Sequence, residues 1–186
     1  SGTSAIFLGI ILGLMMCFDL GGPVNKAAYL FATAGLSTGD AASMQIMAAV
    51  MAAGMVPPIA LSLATFIRKS LFTPAEQENG KSAWLLGLSF ISEGAIPFAA
   101  ADPLRVIPAL VAGSAVAGAL SMTLGVALRV PHGGLFVLPI PNAVTNLPGA
   151  VIALAVGSAI TAVLVGALKK RAAQGPAETG EQQIFS

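Results

Sequence analysis

Gly87 to Pro103 reads GLSFISEGAIPFAAADP, an apolar stretch with the carboxylate of Glu93 in its interior. Gly94 follows that carboxylate directly, and Pro97 comes three residues later. Glycine permits positive φ angles and proline removes a backbone donor, so this order of residues predicts a helix that breaks near Glu93. The stretch therefore indicates a carboxylate held at a break between two helical pieces.

The composition indicates that this stretch lies in a membrane. The chain has 186 residues, of which 56% are hydrophobic and 9% are charged, and its mean hydropathy is +0.87. Soluble domains carry about 25% charged residues, so the class indicated is an integral membrane protein. The apolar residues come in helical-length blocks rather than in short alternating strands, which predicts an all-α fold. A net charge of +1 argues against nucleic acid as a partner.

An ionised carboxylate in a bilayer needs a partner or water. A charged residue at the bilayer centre costs about 2.5–3.5 kcal/mol on insertion scales. A broken helix is tolerated at that depth only where it is buried in protein or lines a cavity. We therefore expect residues 84–101 to form a re-entrant helical hairpin that presents Glu93 to a polar solute. Asp102, directly before Pro103, most simply caps the helix that follows.

Apolar runs predict the remaining membrane segments. These runs cover residues 5–18, 43–67, 104–128 and 150–168. Pro57-Pro58 falls inside the second run and must kink it or split it, and Asp40 is a plausible cap before it. Residues 30–42 are expected to be a connection. Residues 135–149 contain three prolines within a short distance, which predicts a loop or a second re-entrant piece.

Basic residues predict the orientation. Arg68-Lys69 follows one apolar run and Lys169-Lys170-Arg171 follows the last, and both clusters favour the cytoplasmic side of a membrane. A hairpin at 84–101 places both clusters on that side, whereas a full crossing would place them on opposite sides. The sequence thus predicts a multi-pass protein with a cytoplasmic C-terminus.

The expected domain organisation follows from these runs. Residues 1–171 are expected to form one membrane domain, and residues 172–186, which are polar and contain Gly and Pro, a disordered cytoplasmic tail. The chain opens on Ser1 and then an apolar helix, with no basic segment before it. We therefore expect it to be the C-terminal part of a longer protein.

A second polar segment, FDLGGPVNKAAY from Phe18 to Tyr29, lies between apolar flanks. Its Gly-Gly-Pro breaks a helix. It is either an ordinary solvated loop with a helix restart or a second broken element whose Asn25 faces the solute. Asp19 either orders the turn or lines the site, and the sequence favours neither.

Three stretches resemble the fructose-family enzyme IIC of the bacterial phosphoenolpyruvate-dependent sugar phosphotransferase system. They are SEGAIPFAAADP from Ser92, FDLGGPVNKAA from Phe18, and PHGG from Pro131, in the order expected for that family. The resemblance implies a transport domain of the bacterial inner membrane with two re-entrant hairpins. It implies that the domain binds sugar from outside and presents it to the phosphocysteine of cytoplasmic enzyme IIB, as one part of a multicomponent phosphotransferase. It also implies a homodimer formed through N-terminal helices that precede this chain.

The resemblance assigns candidate substrate-binding residues. Glu93 and, less directly, His132 correspond to residues that contact sugar hydroxyls in related enzyme IIC families. An ionised Glu93 offers two acceptor oxygens to adjacent hydroxyls; the alternative is a structural ion pair with Arg105 or Lys26. The further candidates for the same site are Asn25, Ser92, Gly94 and Asp19.

His132 is the single histidine of the chain. It is a structural residue, a hydrogen-bond partner of the sugar, or a base for the attacking hydroxyl. No second histidine accompanies it, so no metal site is predicted, and no cofactor is expected. The one cysteine, Cys17, lies in an apolar run and cannot be the phosphocysteine, so the phosphoryl-carrying enzyme IIB domain is expected to be absent from this chain and to act as its partner.

Three functions fit the sequence to different degrees. The first is a fructose permease, with mannitol and mannosylglycerate as alternative substrates. The second is a secondary transporter in which Glu93 and Asp19 couple protons or sodium, because broken helices and intramembrane carboxylates serve that mechanism equally well. The third is a membrane assembly subunit without a solute path. The resemblance favours the first.

Overall fold

The protein is a bundle of helices, described here from a computed structural model that covers residues 2–131, 134–137 and 139–173. The helices are α1 Gly2–Phe18, α2 Pro23–Leu36, α3 Ala41–Ile67, α4 Pro74–Leu88, α5 Ile96–Ala101, α6 Pro103–Thr123 and α7 Leu147–Ala173. Short 3-10 turns lie at Lys69–Leu71, Ser92–Ala95 and Leu135–Val137. Two short strands, β1 Ala127–Leu128 and β2 Val144–Thr145, pair antiparallel. The predicted all-α class is confirmed.

Three helices in the described part of the chain are long and apolar enough to cross a membrane. They span Ala41–Ile67, Pro103–Thr123 and Leu147–Lys170, and the shorter apolar helix Thr3–Phe18 lies beside them. α3 is central, because it contacts α1, α4, α6 and α7 and 83% of its most apolar window is buried. The chain is an integral membrane protein.

α1 and α6 approach each other through glycines. A Cβ added to Gly13 would lie 2.8 Å from the Cα of Ala115, and one added to Gly9 would lie 2.6 Å from the carbonyl oxygen of Gly118. Such distances leave no room for a side chain, so the two backbones are in direct contact. Small residues allow this close packing between apolar helices, where backbones replace lipid as neighbours.

We expect Gly13→Ala to destabilise the protein by about 1–3 kcal/mol, because the new methyl group must push two helix backbones apart. Gly166→Ala is the matched control. Its nearest neighbour, Arg68 Cδ, would lie 3.9 Å from the added Cβ, so this helical replacement should be neutral or stabilise by about 1 kcal/mol. Thermal unfolding of both variants in detergent measures the difference. Equal midpoints would show that the α1–α6 contact does not need glycine.

α4 and α5 form the two arms of a hairpin. α4 begins with a capping box in which Thr73 and Glu76 exchange hydrogen bonds. The chain breaks after Leu88 and returns through α5 to Asp102. The carboxylates of Glu76 and Asp102 both contact the amine of Lys169, at 3.4 Å and 3.6 Å. The two ends of the hairpin therefore lie on the same side of the bundle, as the charge pattern predicts.

Four charged side chains meet at this end; we call Glu76, Asp102, Arg105 and Lys169 the base cluster. Lys169 and Glu76 are nearly buried, with 8% and 7% of their side chains exposed. Arg105 Nη1 donates to both oxygens of Asp102, at 3.0 Å and 3.1 Å. The Lys169 amine also lies 4.7 Å from the centroid of the Phe72 ring. The cluster ties the hairpin to the end of α7.

The structure corrects the interpretation of Asp102. It occupies the N-cap position of α6, but its side chain makes no capping hydrogen bond. Its carboxylate instead pairs with Arg105 and Lys169, because charged partners from the same turn and from α7 are within reach. A capping role cannot be distinguished from an ion pair by sequence when the partner is distant in the chain.

Four predicted features of the helices also differ. α3 runs unbroken through Pro57-Pro58, so the helix is not split there. α2 extends to Leu36 and occupies half of what residues 30–42 suggest as a connection, since this segment holds helix-forming Ala and Leu. α6 ends at Thr123, where Gly125 with φ 68° turns the chain into β1. The last helix continues to Ala173, and residues 174–186 of the predicted tail lie outside the described residues.

Candidate functional site

The break in the hairpin is an unusual piece of backbone. Phe90 has φ 60°, which is a rare conformation for a bulky residue and signals strain or function. The amide of Ile91 donates to the Leu86 carbonyl at 2.8 Å, which closes the end of α4. Ser92 to Ala95 then form a 3-10 turn. The predicted break near Glu93 is confirmed, and its positive-φ residue, Phe90, lies four residues before Gly94.

The double proline of α3 holds this break in place. Proline has no amide hydrogen, so Pro57 and Pro58 leave the carbonyls four residues earlier, Ala53 and Gly54, without their helical donors. The hydroxyl of Ser92 donates to the Gly54 carbonyl at 2.8 Å. The broken segment of the hairpin thus supplies the hydrogen bond that Pro58 cannot donate within α3.

The second freed carbonyl, that of Ala53, accepts a hydrogen bond from α6. Ser114 Oγ donates to the Ala53 carbonyl at 3.1 Å, and Cys17 Sγ lies 2.7 Å from Ser114 Oγ. Cys17 is fully buried, so its thiol is a structural element of the α1–α3–α6 contact. Both prolines are tolerated within a continuous helix because side chains satisfy the freed carbonyls.

Glu93 projects from this break without a partner of its own. Its carboxylate makes no hydrogen bond and no ion pair within the parts of the chain that the structure describes. It lies against the backbone of Gly21, where an added Cβ would be 2.5 Å from Glu93 Oε1. Arg105, one of the two predicted ion-pair partners, binds Asp102. Lys26, the other, is not within 4.0 Å of the carboxylate oxygens.

The turn at Gly21-Gly22 is the second break beside Glu93. Asp19 orders it: the amides of Val24 and Asn25 donate to its two carboxylate oxygens at 2.7 Å and 2.9 Å. Gly21 has φ 94°, so this position requires glycine both for its backbone and for its contact with Glu93. Of the two roles considered for Asp19, the structure favours the ordering of the turn.

A polar cavity lies where the two breaks meet. Its volume is about 160 Å³, and it is lined by Asn25, Lys26, Tyr29, Phe90, Ser92 and Glu93. One water needs roughly 10–15 Å³ on this scale, so the cavity is large enough for several waters or one small solute. Asn25 is 93% buried, since 7% of it is exposed, and its amide nitrogen donates to the Met16 carbonyl at 2.6 Å.

The structure thus brings together three of the six predicted site residues: Glu93, Asn25 and Ser92 line one cavity. Gly94 and Asp19 do not line it, although Gly94 follows Glu93 in the chain and Asp19 accepts a hydrogen bond from the Asn25 amide. His132 lies outside the described residues. The assignment of all six to substrate binding stays a prediction.

Sequence reasoning missed Tyr29 and Phe90 as lining residues and noted Lys26 only as a partner for Glu93. Tyr29 lies four residues after Asn25, which places both on one face of α2; this spacing is the signal that could have identified it. Phe90 carries no such signal, because its position depends on the strained turn. The two rings lie 6.3 Å apart between centroids.

No group of three or more metal-ligating side chains occurs among the residues that the structure describes. A larger cavity of about 290 Å³ lies between α3 and α7, and its lining is almost entirely apolar. Of these two cavities, the smaller one beside Glu93 is the one with charged and polar side chains in its lining.

We expect Ser92→Ala to loosen the break that carries Glu93, because the Gly54 carbonyl loses its donor. An unsatisfied buried group costs about 1–3 kcal/mol, and thermal unfolding measures this loss. Adding Pro58→Ala should restore part of it, since residue 58 then supplies an amide to the same carbonyl. Ser82→Ala, at an exposed serine, is the control. A double variant no more stable than Ser92→Ala would contradict the assignment of the Pro58 gap to Ser92.

These features define a polytopic, all-α membrane protein with a small polar cavity at two helix breaks. The chain is 59% identical over 170 residues to the PTS system fructose-specific EIIB'BC component of Vibrio cholerae, covering 91% of this chain and 29% of that protein. It is 56% identical to the fructose-specific EIIC component of Haloferax volcanii, covering 90% of this chain and 43% of the relative. It is 48% identical to the fructose permease IIC component of Bacillus amyloliquefaciens, over 89% of this chain and 52% of the relative.

The chain is thus homologous to a segment of the fructose-specific components of the phosphotransferase system, and the resemblance identified from the three motifs is confirmed. It spans between about three-tenths and one-half of the length of these three relatives. No family model matches the chain, and no solved structure matches it.

Proposed function

We propose that this chain forms the sugar-binding part of a fructose permease of the phosphotransferase system. The observation that carries the proposal is the unpaired carboxylate of Glu93 on a cavity of about 160 Å³ at the meeting of two helix breaks. The names of the relatives supply the solute class. Discontinuous helices that meet at a polar cavity are the common construction of solute sites in membranes.

The chemistry of the cavity suits a polyol. An ionised carboxylate accepts hydrogen bonds from two hydroxyls, and hydrogen bonds to charged groups contribute about 1.5–3 kcal/mol each. The buried amide of Asn25 adds a neutral polar group, and the rings of Tyr29 and Phe90 form an apolar wall. Sites for small molecules combine such a largely apolar lining with a few placed polar groups.

In the proposed reaction the phosphoryl group comes from phosphorylated enzyme IIB. Phosphoryl transfer depends on positioning and charge stabilisation, so this chain would hold the sugar hydroxyl in line with the donor and exclude water. Cys17 does not serve as the phosphocysteine, since it is buried among α1, α3 and α6. The chain accordingly acts as one component of a sugar phosphotransferase, with enzyme IIB as its partner.

The proposed orientation places the base cluster at the cytoplasmic face of a bacterial inner membrane. Arg68, Lys69, Lys169 and Lys170 lie near that end, and positive residues beside membrane helices favour the cytoplasm. This orientation makes the C-terminus cytoplasmic. Exposed apolar side chains on α1, among them Phe7 and Phe18 at 62% and 63% exposure, would face lipid or the helices of a second copy in a homodimer.

The test uses right-side-out membrane vesicles that contain the protein as its gene encodes it. Enzyme IIB and a phosphoryl donor are enclosed in the vesicles. Labelled fructose is followed with and without the donor. Donor-dependent accumulation of fructose phosphate supports the proposal. Accumulation of unmodified fructose driven by a proton or sodium gradient, indifferent to the donor, would overturn it in favour of a secondary transporter. Mannitol, tested in parallel, measures selectivity.

A further inference from the structure

We propose that Lys26 is a second charged substrate-binding residue, which donates to a sugar hydroxyl while Glu93 accepts from another. The inference rests on the proposed function, because it assigns a residue to the same site. Lys26 lines the cavity together with Glu93. Its role is to complete the hydrogen-bonding set that a polyol requires.

The position of Lys26 is fixed by the turn before it. Asp19 binds the amides of Val24 and Asn25, and the Lys26 amide donates to the Gly22 carbonyl at 3.0 Å. The first turn of α2 is thus anchored at several points. A side chain that leaves an anchored helix start is placed with less loss of conformational freedom than one on a loose loop.

The two charges share a cavity without neutralising each other. Neither the Lys26 ammonium nor the Glu93 carboxylate has a hydrogen bond or an ion pair within the described ranges of the chain, and their charged atoms are more than 4.0 Å apart. Their separation leaves space between them for a ligand that has both donors and acceptors.

A sugar hydroxyl group has this dual character, since it offers one donor and two acceptor lone pairs. Glu93 can accept and cannot donate when ionised, and the ammonium of Lys26 can donate and cannot accept. Together they would bind two hydroxyls, one that donates to Glu93 and one that accepts from Lys26. The tilted rings of Tyr29 and Phe90, at 33° to each other, supply the apolar wall for the carbon face of the ring.

The variants that test this role are Lys26→Met, which keeps the length of the side chain and removes the charge, and Lys26→Arg, which keeps the charge. Lys69→Met is the matched control, because Lys69 is an exposed lysine that does not line the cavity. Two readouts are taken: equilibrium binding of labelled fructose to the purified protein without enzyme IIB, and KM and kcat for donor-dependent uptake.

We expect Lys26→Met to weaken fructose binding and raise KM by about ten- to a hundredfold, the loss of one charge-assisted hydrogen bond. Its kcat should stay near that of the wild type, Lys26→Arg should recover part of the affinity, and Lys69→Met should change neither. Unchanged fructose binding in Lys26→Met would overturn the proposal. A fall in kcat with unchanged KM would also overturn it, and would assign Lys26 to the transferred phosphoryl group instead.

The two proposals fail in different ways. If the wild type shows no donor-dependent uptake, the proposed function is wrong, whatever the Lys26 variants do. If the wild type accumulates fructose phosphate and Lys26→Met binds fructose equally well, only the role of Lys26 is wrong. A melting temperature of Lys26→Met equal to that of the wild type ensures that a loss of binding reports on the site.

Discussion

Glu93→Gln is expected to abolish donor-dependent fructose accumulation while leaving the melting temperature unchanged. The substitution keeps the size of the side chain and removes one acceptor and the charge. The Glu93 carboxylate has no hydrogen bond or ion pair in the part of the chain that the structure describes, so the substitution removes neither. A loss of roughly 3 kcal/mol in charge-assisted hydrogen bonding corresponds to more than a hundredfold in affinity.

The measurement is fructose binding and uptake at several sugar concentrations. Glu78→Gln is the control, because Glu78 is an exposed carboxylate, with 74% of its side chain accessible, that forms a surface ion pair with Lys81. Such pairs contribute little to stability, about 0–1 kcal/mol. Wild-type uptake by Glu93→Gln would remove Glu93 from the sugar site and leave the cavity without its proposed acceptor.

Lys169→Met is expected to destabilise the protein strongly. Lys169 is 8% exposed and contacts the carboxylates of Glu76 and Asp102. Asp102 keeps Arg105 as a partner, but the nearly buried Glu76 loses its only cation among the described residues. Removing one partner of a buried ion pair costs about 3–5 kcal/mol, because the other charge remains desolvated. In a chain of this size that corresponds to a fall of roughly 10 °C in melting temperature.

Two further variants separate charge from packing. Lys170→Met changes the next residue, which is exposed, and should stay within about 0.5 kcal/mol of the wild type. Adding Glu76→Gln to Lys169→Met should recover part of the loss, since the uncompensated charge is then gone. Equal destabilisation by Lys169→Met and Lys170→Met would show that the base cluster is a surface feature with little energetic weight.

The features that could be predicted from sequence are the local ones. Gly94 and Pro97 indicated the break beside Glu93, and Asp40 was identified as a cap and accepts from the Ser43 amide at 2.7 Å. Each of these depends on residues within four positions of one another. Backbone preference and side-chain reach over such distances are properties of the residues themselves.

The errors concern groups whose partners are distant in the chain. Pro57-Pro58 was expected to kink α3 or split it, and the split does not occur, because Ser92 and Ser114, 38 and 61 residues away from the carbonyls they bind, satisfy the exposed backbone. Asp102 looked like a cap, but Lys169 lies opposite it. A local sequence pattern shows which groups need a hydrogen-bond or ion-pair partner. It does not show which distant side chain supplies that partner.

The sequence by itself determined that this protein is an all-α membrane protein, that a helix breaks beside Glu93, and that the chain is homologous to fructose-specific components of the phosphotransferase system. Only the tertiary structure decided that Asn25, Lys26 and Glu93 share one cavity, and that Asp19 is occupied in ordering a turn. The physical reason is that composition and local backbone preference act along the chain. The binding cavity, in contrast, forms only when α1, α2 and the hairpin are brought together by hydrogen bonds and packing between segments that are distant in the chain.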